Sequence, residues 1–132
     1  MSGVVHVSAA VVVADDGRAL VVRKRGAQVF QQPGGKPDPG EDALAAVVRE
    51  VAEETGIVAE PSSFEPLGRF SDAAANEPGH RVVADAFRLR VGAGTAIAGG
   101  EIEELRWLAE TDVDDAPLAP LSRNHLIRFA WR

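Results

Sequence analysis

The amino-acid sequence predicts an α/β domain in which helices pack against a mixed β-sheet. Two β-rich segments, 4–13 and 19–24, flank the turn sequence Asp15-Asp16-Gly17. An amphipathic helix is predicted over residues 42–55, and further strand-like segments follow it. Alternation of this kind is typical of a layered α/β fold. With 132 residues the chain is expected to form one domain, residues 1–132, around one core.

Each element has its own local signal. The first two strands should form a hairpin, and a short extended segment should end at Pro33. The final helix is expected to begin at Ser122, a good N-cap residue. The segment 92–100 is rich in glycine and alanine and is expected to be mobile. The remaining predicted elements are strands at 64–70, 81–91 and 105–108 and a helical turn at 112–115.

Composition narrows the possible functions. The chain is 45% hydrophobic and 26% charged, as expected of a globular protein, and its net charge of −6 argues against nonspecific nucleic-acid binding. It has no cysteine, which excludes a disulfide framework and thiolate chemistry. The N-terminus lacks a basic leader and no apolar run approaches membrane-spanning length, so a cytoplasmic protein without membrane contact is expected.

The predicted helix carries an unusual group of carboxylates. Its apolar residues follow the spacing that places side chains on one stripe: Leu44, Val47, Val48 and Val51. Glu50 and Glu54 lie four residues apart beside that stripe, and Glu53 lies next to them. Three neighbouring carboxylates repel each other unless a cation binds them, and their oxygens suit Mg²⁺ or Mn²⁺. A solvated, glutamate-rich helix is the alternative interpretation.

The residues around these glutamates support a binding site. Arg49 lies four residues before Glu53 and can fix a carboxylate by a charge-assisted hydrogen bond. Gly56 follows the helix where a left-handed cap is favoured. The sequence Pro33-Gly34-Gly35 precedes the helix, and its glycines permit close approach of the backbone to a ligand.

Nine positions in residues 35–57 fit a single template, Gly-x5-Glu-x7-Arg-Glu-apolar-x-Glu-Glu-x-Gly-apolar. This segment resembles the Nudix box at every position. The resemblance implies an α/β/α sandwich with a mixed sheet. It also implies Mg²⁺- or Mn²⁺-dependent hydrolysis of a nucleoside diphosphate linked to another group, so that the partner is a small nucleotide or other pyrophosphate compound.

The resemblance also implies a role for each residue of the box. Glu50, Glu53 and Glu54 would bind the metal, with the Gly35 carbonyl as a further ligand. Arg49 would orient the carboxylates, and Glu41 would support the loop. Metal-bound water would attack phosphorus, and a glutamate would take its proton. The choice among Glu50, Glu53 and a loop glutamate as the base stays open.

Glu101 is the candidate for that loop glutamate. It lies six residues before Trp107, the offset at which MutT-like members of the family carry a glutamate on a loop that closes over the metal. The alternative is an ordinary surface residue.

Candidates for substrate binding lie outside the box. Arg23 and Lys36 are interpreted as phosphate ligands, and Lys24 and Arg25 as surface residues. Phe30 either lines a base pocket or packs in the core.

The base-reading position of MutT, fifteen residues after the tryptophan, holds Ser122, with Asn124 two residues further on. A serine that caps a helix would read a base poorly, so modest discrimination between purines is expected.

The rest of the chain resembles the MutT-like nucleoside triphosphate pyrophosphohydrolases in its length, in the Trp107 region and in the segment 117–120. Two alternatives stay open: hydrolysis of another diphosphate, such as a nucleotide sugar or dinucleoside polyphosphate, and a non-catalytic nucleotide-binding module. The sequence does not define the oligomeric state, and a homodimer is one possibility.

Overall fold

The computed structural model describes residues 3–92 and 94–132 of the chain. Its sheet has the strand order β4-β5-β1-β2-β6, with β3 paired to β1. The sheet is mixed because β1 and β5 run parallel while the other pairs are antiparallel. The predicted α/β fold class is confirmed. The strands and the helix are β1 Val4–Ala14, β2 Ala19–Lys24, β3 Gly34–Gly35, α1 Ala43–Thr55, β4 Phe64–Ala73, β5 Arg81–Val91 and β6 Ile102–Leu108.

Helix α1 begins and ends as its sequence predicts. The side chain of Asp42 accepts a hydrogen bond from the Ala45 amide at 2.7 Å and caps the N-terminus. Gly56 adopts the left-handed conformation, φ 75°, and its N–H donates to the Ala52 carbonyl. These caps fix the helix and therefore the positions of the carboxylates along it.

Strand β1 lies at the centre of the sheet, and its alternating side chains enter two different cores. Ala10 and Val12 pack on the α1 side with Val47 and other apolar residues. Ala9 and Val11 belong to the opposite cluster, which contains residues of the C-terminal helical segment. The sheet is therefore covered on both faces, as an α/β/α sandwich requires.

Two strands begin or end at residues other than those predicted. Strands β1 and β2 form the expected hairpin, with Val12 opposite Leu20. Strand β6 begins at Ile102 rather than at residue 105, and β4 extends to Ala73 rather than ending at residue 70. The pairing of β2 with β6 is interrupted between Arg23 and Lys24, where the register shifts. A register shift of this kind changes the direction in which the following side chains point.

The C-terminal helical segment, residues 120–130, begins earlier than predicted. It contains a π-helical stretch, Ser122–Leu126, followed by a 3-10 turn, Ile127–Ala130. Leu121 already has helical dihedral angles, and the Ser122 side chain forms no capping hydrogen bond. The prediction that Ser122 is the N-cap was therefore wrong. Pro120 occupies the first helical turn, a position that suits proline because its missing N–H is not required there.

The segment 92–100 is partly attached to α1. Ala93 lies outside the described residues, and residues 94–99 have no regular secondary structure. The Ile97 amide donates to the Thr55 carbonyl at 2.9 Å, and the Gly99 amide donates to the Glu54 carbonyl at 3.1 Å. Two hydrogen bonds to the end of α1 argue against a freely mobile segment at residues 97–100.

No helix within residues 3–92 and 94–132 is long and apolar enough to cross a membrane.

Candidate active site

A cavity of about 530 Å³ lies beside the carboxylates of α1. Its lining includes the charged residues Glu50, Glu53, Glu54, Lys24 and Lys36. It also includes apolar residues, among them Val5, Val7, Leu121 and Leu126. A cavity with both charged and apolar lining suits a ligand that carries both phosphates and a ring.

Arg49 organises the carboxylates beside the cavity. Its Nε and Nη2 donate to the two oxygens of Glu41 at 2.9 and 2.8 Å. Its Nη1 donates to Glu50 at 2.6 Å and contacts Glu53 at 3.3 Å. One guanidinium therefore holds three carboxylates at once, which its fixed, planar set of donors makes possible.

Glu41 links α1 to the preceding loop. Besides Arg49, it accepts a hydrogen bond from the Asp38 amide at 2.8 Å. The hydrogen bonds from Arg49 and Asp38 lower the pKa of Glu41 to about 2. The carboxylate is therefore ionised at every pH of interest and anchors Arg49; its supporting role in the site stays a prediction.

Glu54 has a different environment. It is only 6% exposed, and its Oε1 accepts a hydrogen bond from the Gly34 amide at 3.0 Å. Burial raises the pKa of Glu54 to about 8; the Gly34 hydrogen bond opposes this rise and the nearby Glu50 adds to it. Within the described residues Glu54 forms no salt bridge, so its charge has no direct counterion.

The two glycines before the helix were expected to let a ligand approach the backbone. In the structure the groups that approach them closely belong to the protein itself. A Cβ at Gly34 would lie 2.1 Å from the Ser8 carbonyl oxygen, and one at Gly35 would lie 2.5 Å from Glu50 Oε2. Both distances are shorter than real Cβ contacts allow. Glycine at these positions lets β3 pair with β1 and lets Glu50 lie against the backbone of Gly35.

The donor set suits a hard divalent cation. Carboxylate oxygens on one helix, a buried carboxylate without a counterion and the adjacent Gly35 backbone match the preferences of Mg²⁺ and Mn²⁺. In the described part of the chain no three acidic or histidine side chains already stand in a metal-binding arrangement. Glu50 and Glu53 are bound to Arg49 instead. The assignment of Gly35, Glu50, Glu53 and Glu54 as metal ligands stays a prediction.

Glu101 lies at the mouth of the same cavity. Its side chain is 73% exposed, and its nearest basic partner is the Lys24 Nζ at 4.0 Å. Its backbone carbonyl accepts a hydrogen bond from the Arg25 amide at 2.8 Å. The loop therefore brings a solvent-accessible carboxylate to the cavity, and the role of Glu101 as the loop glutamate stays a prediction.

The structure brings Lys24 to the cavity rather than Arg23. Arg23 donates to the Ala27 carbonyl at 3.2 Å and to Glu104 at 3.3 Å. The interpretation of Arg23 as a phosphate ligand is therefore not supported, and neither is that of Lys24 as a mere surface residue. The register shift between the two residues, which the sequence does not reveal, separates their directions. Lys36 lines the cavity as expected.

Phe30 belongs to the core. It is buried, packs in the cluster beneath the C-terminal segment and lies 4.4 Å from the Arg106 guanidinium, measured to the ring centre. It is not among the residues that line the cavity. Of the two interpretations of Phe30, core packing is the one that the structure supports.

The structure separates Ser122 from Asn124, the two residues predicted to bind the base. Ser122 is buried and lines the cavity, and its hydroxyl has no hydrogen-bond partner among the residues that the structure describes. Asn124 is exposed and donates to Asp72 at 2.8 Å, outside the cavity. Gln32 also lines the cavity, with an unpartnered amide nitrogen. Sequence reasoning overlooked Gln32, although its position directly before Pro33-Gly34-Gly35 places it next to the site.

Residues 4–129 match the NUDIX domain family, so the chain belongs to this family. The match includes the box at residues 35–57, and the predicted family is confirmed. The chain spans 29% of the length of the first of the curated relatives that it matches and 70% of the second.

Several relatives illustrate the similarity. The chain is 29% identical over 124 residues to the ADP-ribose pyrophosphatase of Methanocaldococcus jannaschii, covering 92% of this chain and 70% of that one. It is 50% identical over 62 residues to nucleoside diphosphate-linked moiety X motif 6 of Xenopus laevis, covering 46% of this chain but 29% of the longer protein. The crystal structure of the MutT NUDIX hydrolase from Burkholderia pseudomallei superimposes with a TM-score of 0.72 at 29% identity, over 96% and 95% of the two chains.

Proposed function

We propose that this protein is a Mg²⁺- or Mn²⁺-dependent pyrophosphohydrolase that converts a nucleoside triphosphate to a nucleoside monophosphate and pyrophosphate. The observation that carries the proposal is the shared cavity. The three carboxylates of α1, two lysines and an apolar wall surround one space of about 530 Å³. That size is within the range of small-molecule sites and accommodates a nucleotide.

Each part of the cavity has a chemical task in this reaction. Glu50, Glu53, Glu54 and the Gly35 carbonyl would hold the metal, which would lower the pKa of a bound water and neutralise phosphate charge. Arg49 keeps Glu50 and Glu53 in place through the hydrogen bonds described above. Lys24 and Lys36 face the cavity with positive charge, which opposes the repulsion between an acidic protein and a polyphosphate.

Proton transfer from the attacking water needs an ionised carboxylate near the metal. Glu101 is mostly exposed and lies on the cavity rim, so it is free to accept a proton. Glu50 and Glu53 accept hydrogen bonds from Arg49, so that their oxygens are already engaged and are less available to an attacking water. We therefore favour Glu101 as the general base over Glu50 and Glu53.

A second candidate is hydrolysis of ADP-ribose or a related nucleotide sugar. The observation in its favour is the relative named ADP-ribose pyrophosphatase, which matches 92% of this chain. The same metal site would serve this reaction because both substrates contain a pyrophosphate linked to a nucleoside. The two candidates differ only in the group beyond the second phosphate. A non-catalytic module is disfavoured because every box glutamate is present.

The test is a substrate panel assayed with Mg²⁺, with Mn²⁺ and with excess EDTA. Nucleoside triphosphates should give monophosphate and pyrophosphate and the highest kcat/KM, while ADP-ribose would give AMP and ribose 5-phosphate. Glu54→Gln should lower kcat by at least about a hundredfold, and Glu60→Gln, which changes an exposed residue beyond α1, should not. Full turnover in EDTA would overturn the metal-dependent mechanism, and a higher kcat/KM for ADP-ribose would select the second candidate.

A further inference from the structure

The carboxylate of Asp72 joins the end of β4 to the C-terminal helical segment. Its Oδ2 accepts a hydrogen bond from the Asn124 side chain at 2.8 Å and lies 3.3 Å from Nε2 of His125. Its Oδ1 accepts a hydrogen bond from the Ala73 amide at 2.7 Å. Within residues 3–92 and 94–132, its contacts with Asn124 and His125 are the only hydrogen bonds or ion pairs that join residues 64–80 to the C-terminal helical segment.

Both of the segments that Asp72 joins line the active-site cavity. Residues 73–77, which follow Asp72 directly, are all lining residues. The C-terminal helical segment contributes three further lining residues, Leu121, Ser122 and Leu126. Asn124 and His125 lie between these in the sequence, and neither they nor Asp72 line the cavity. Asp72 can therefore affect a ligand in the cavity through the two segments, and not by touching it.

The surroundings of Asp72 keep its carboxylate ionised and in place. Its side chain is only 20% exposed. The hydrogen bonds from the Asn124 side chain and the Ala73 amide hold the pKa of the Asp72 carboxyl below its ordinary value, and the nearby positive groups of His125 and Arg81 lower it further. The contact with the C-terminal helical segment therefore retains its negative charge at neutral pH.

The imidazole of His125 is the part of this contact whose charge depends on pH. It packs beside Phe70, with the ring centres 6.0 Å apart. Histidine side chains ordinarily change charge between about pH 5 and 8. Two further charged groups face the pair, Arg81 of β5 and Arg128 of the C-terminal helical segment, and both stay positive over this range. His125 attracts the Asp72 carboxylate when it is protonated, and this attraction is lost as the pH rises.

We propose that Asp72 is a positioning residue, which holds residues 73–77 and the C-terminal helical segment in the relative position that the substrate requires, and holds them more firmly when His125 is protonated. The α1 carboxylates, which would carry the metal chemistry, are not among its contacts. Loss of the contact should therefore weaken substrate binding and leave the chemical step almost unchanged. This inference rests on the proposed function, because it takes the cavity as the substrate site.

The first test is steady-state kinetics of Asp72→Ala at about pH 8.5, with the substrate of the panel that the wild type hydrolyses best. KM should rise by about fivefold or more, as expected for lost hydrogen bonds to a carboxylate, and kcat should change by less than about twofold. A contact that only stabilises the fold would give a different result, because its loss lowers the folded fraction, and so the apparent kcat, without changing KM. An unchanged KM in Asp72→Ala would overturn the inference.

Asp72→Asn is the conservative variant. An asparagine has the same shape, and it can keep both hydrogen bonds if the Asn124 amide rotates to offer its oxygen. At about pH 8.5 its KM should lie within about twofold of the wild-type value. A KM as high as that of Asp72→Ala would show that the hydrogen bonds do not hold the segments together. This variant also keeps the inference testable if Asp72→Ala does not fold.

His125→Gln tests the dependence on pH, because glutamine is neutral at every pH. At about pH 6 its KM should exceed that of the wild type by about two- to fivefold, the effect of one partly exposed ion pair, and at about pH 8.5 the two values should agree. The ratio of the two proteins at each pH cancels the titration of the metal site and of the substrate, which both proteins share. A ratio that does not change with pH would overturn the role of His125.

Glu65→Ala is the matched control. Glu65 is another carboxylate of β4, and it lies 2.7 Å from Arg88, which donates to the Phe129 and Arg132 carbonyls at the other end of the C-terminal helical segment. Neither Glu65 nor Arg88 lines the cavity. Glu65→Ala should leave KM unchanged. A rise in KM equal to that of Asp72→Ala would overturn the inference, because any loosening of the segment would then have the same effect.

Binding of α,β-methylene-ATP, which resists cleavage between its first two phosphates, separates this inference from the proposed function. Calorimetry in Mg²⁺ should give a Kd that is about fivefold or more higher for Asp72→Ala than for the wild type. If nucleotides are hydrolysed but neither KM nor Kd depends on Asp72, only this inference fails. If Kd depends on Asp72 but no triphosphate is hydrolysed, only the proposed function fails. A wild type that neither binds the analogue nor hydrolyses a nucleotide would overturn both.

Discussion

Glu54 and Glu41 show how position alone separates the properties of two glutamates of the same sequence motif. Glu41 accepts hydrogen bonds from Arg49 and a backbone amide, which lower the pKa of its carboxyl to about 2. Glu54 is buried and has one amide donor, so desolvation dominates and raises the pKa of its carboxyl to about 8. In the absence of metal, Glu54 is therefore mostly protonated at neutral pH, and any cation that binds its carboxylate would have to displace that proton.

The first prediction concerns the stability of the metal-free protein. The folded-state pKa of Glu54, about 8, lies above its ordinary value of 4.5, so the native state binds the proton more tightly than the unfolded state. The free energy of unfolding should then fall as the pH rises through the window between these values, by a few kcal/mol, since each pKa unit corresponds to about 1.4 kcal/mol. Glutamine does not titrate. The melting temperature of Glu54→Gln in EDTA should therefore exceed that of the wild type by an amount that grows from about pH 5 to about pH 9.

Glu53→Gln is the control for that measurement, because it removes a carboxylate of the same helix that is more than half exposed. A difference between Glu54→Gln and wild type that stays constant with pH would show that Glu54 ionises as readily in the folded protein as in the unfolded chain.

Arg49 supports a second prediction. Its guanidinium binds Glu41 with two hydrogen bonds and reaches Glu50 and Glu53 as well. A lysine has one ammonium group and cannot reproduce this planar arrangement. Arg49→Lys should lower kcat by about ten- to a hundredfold, because misplaced carboxylates hold the reacting groups poorly. It should also lower the free energy of unfolding by about 1–3 kcal/mol.

Arg69→Lys is the matched control for Arg49→Lys, since Arg69 donates to both oxygens of Asp85 on the exposed face of β4 and β5. Exposed pairs contribute about 1 kcal/mol or less, and neither Arg69 nor Asp85 is among the residues that line the cavity. Steady-state kinetics should be used to compare kcat between the two variants, and denaturant-induced unfolding should be used to compare their free energies of unfolding. Equal losses in the two variants would mean that Arg49 has no special role.

At the scale of elements, the sequence predicted α1 best. Its apolar spacing and the Gly56 cap are local signals on which the prediction depended, and both are present in the structure. The start of the C-terminal segment was predicted wrongly because two local signals competed. Ser122 suits an N-cap, but Pro120 suits the first helical turn, and the proline determined the outcome. Both signals were in the sequence, and packing of Leu121 and Leu126 favoured the earlier start.

The attachment of the loop to α1 was not predictable from glycine content. Gly99 lies so close to α1 that a Cβ would be 2.3 Å from the Glu53 carbonyl oxygen. Glycine is required here for close approach and not for mobility. The hydrogen bonds from Ile97 and Gly99 to α1 also satisfy backbone carbonyls at the end of the helix.

The third prediction follows from this contact. Gly99→Ala should break the Gly99–Glu54 backbone hydrogen bond and displace the loop that carries Glu101, so kcat should fall by about tenfold or more. Gly92→Ala should have little effect, since the nearest group to its Cβ is Asp15 at 3.9 Å. Hydrogen exchange should show protected amides at Ile97 and Gly99 in the wild type and lost protection in Gly99→Ala. Lost protection with normal kcat would remove Glu101 from the reaction.

At the scale of the whole molecule, the site is assembled from parts that are distant in sequence. The α1 glutamates, which one motif identifies, could be predicted together. Lys24, Gln32 and Ser122 could not be placed, because their directions depend on a strand irregularity and on contacts between separate segments. No local pattern indicates that the register of β2 against β6 shifts at Arg23. This shift decided which basic residue faces the cavity.

The last prediction treats the metal as a ligand of the folded domain. A cation bound at α1 joins the helix to the Gly35 backbone next to β1, so it should stabilise the whole fold. Binding only to the native state adds about 2.7 kcal/mol when the free ligand is a hundred times its Kd. The increase in melting temperature with Mg²⁺ or Mn²⁺ should be larger at about pH 8.5 than at about pH 6, because Glu54, with a pKa of about 8, gives up its proton more readily at the higher pH. NaCl at matched ionic strength controls for screening of the net charge of −6. In Glu54→Gln the stabilisation should be smaller and independent of pH; equal stabilisation of the wild type at both pH values would show that Glu54 does not bind the metal.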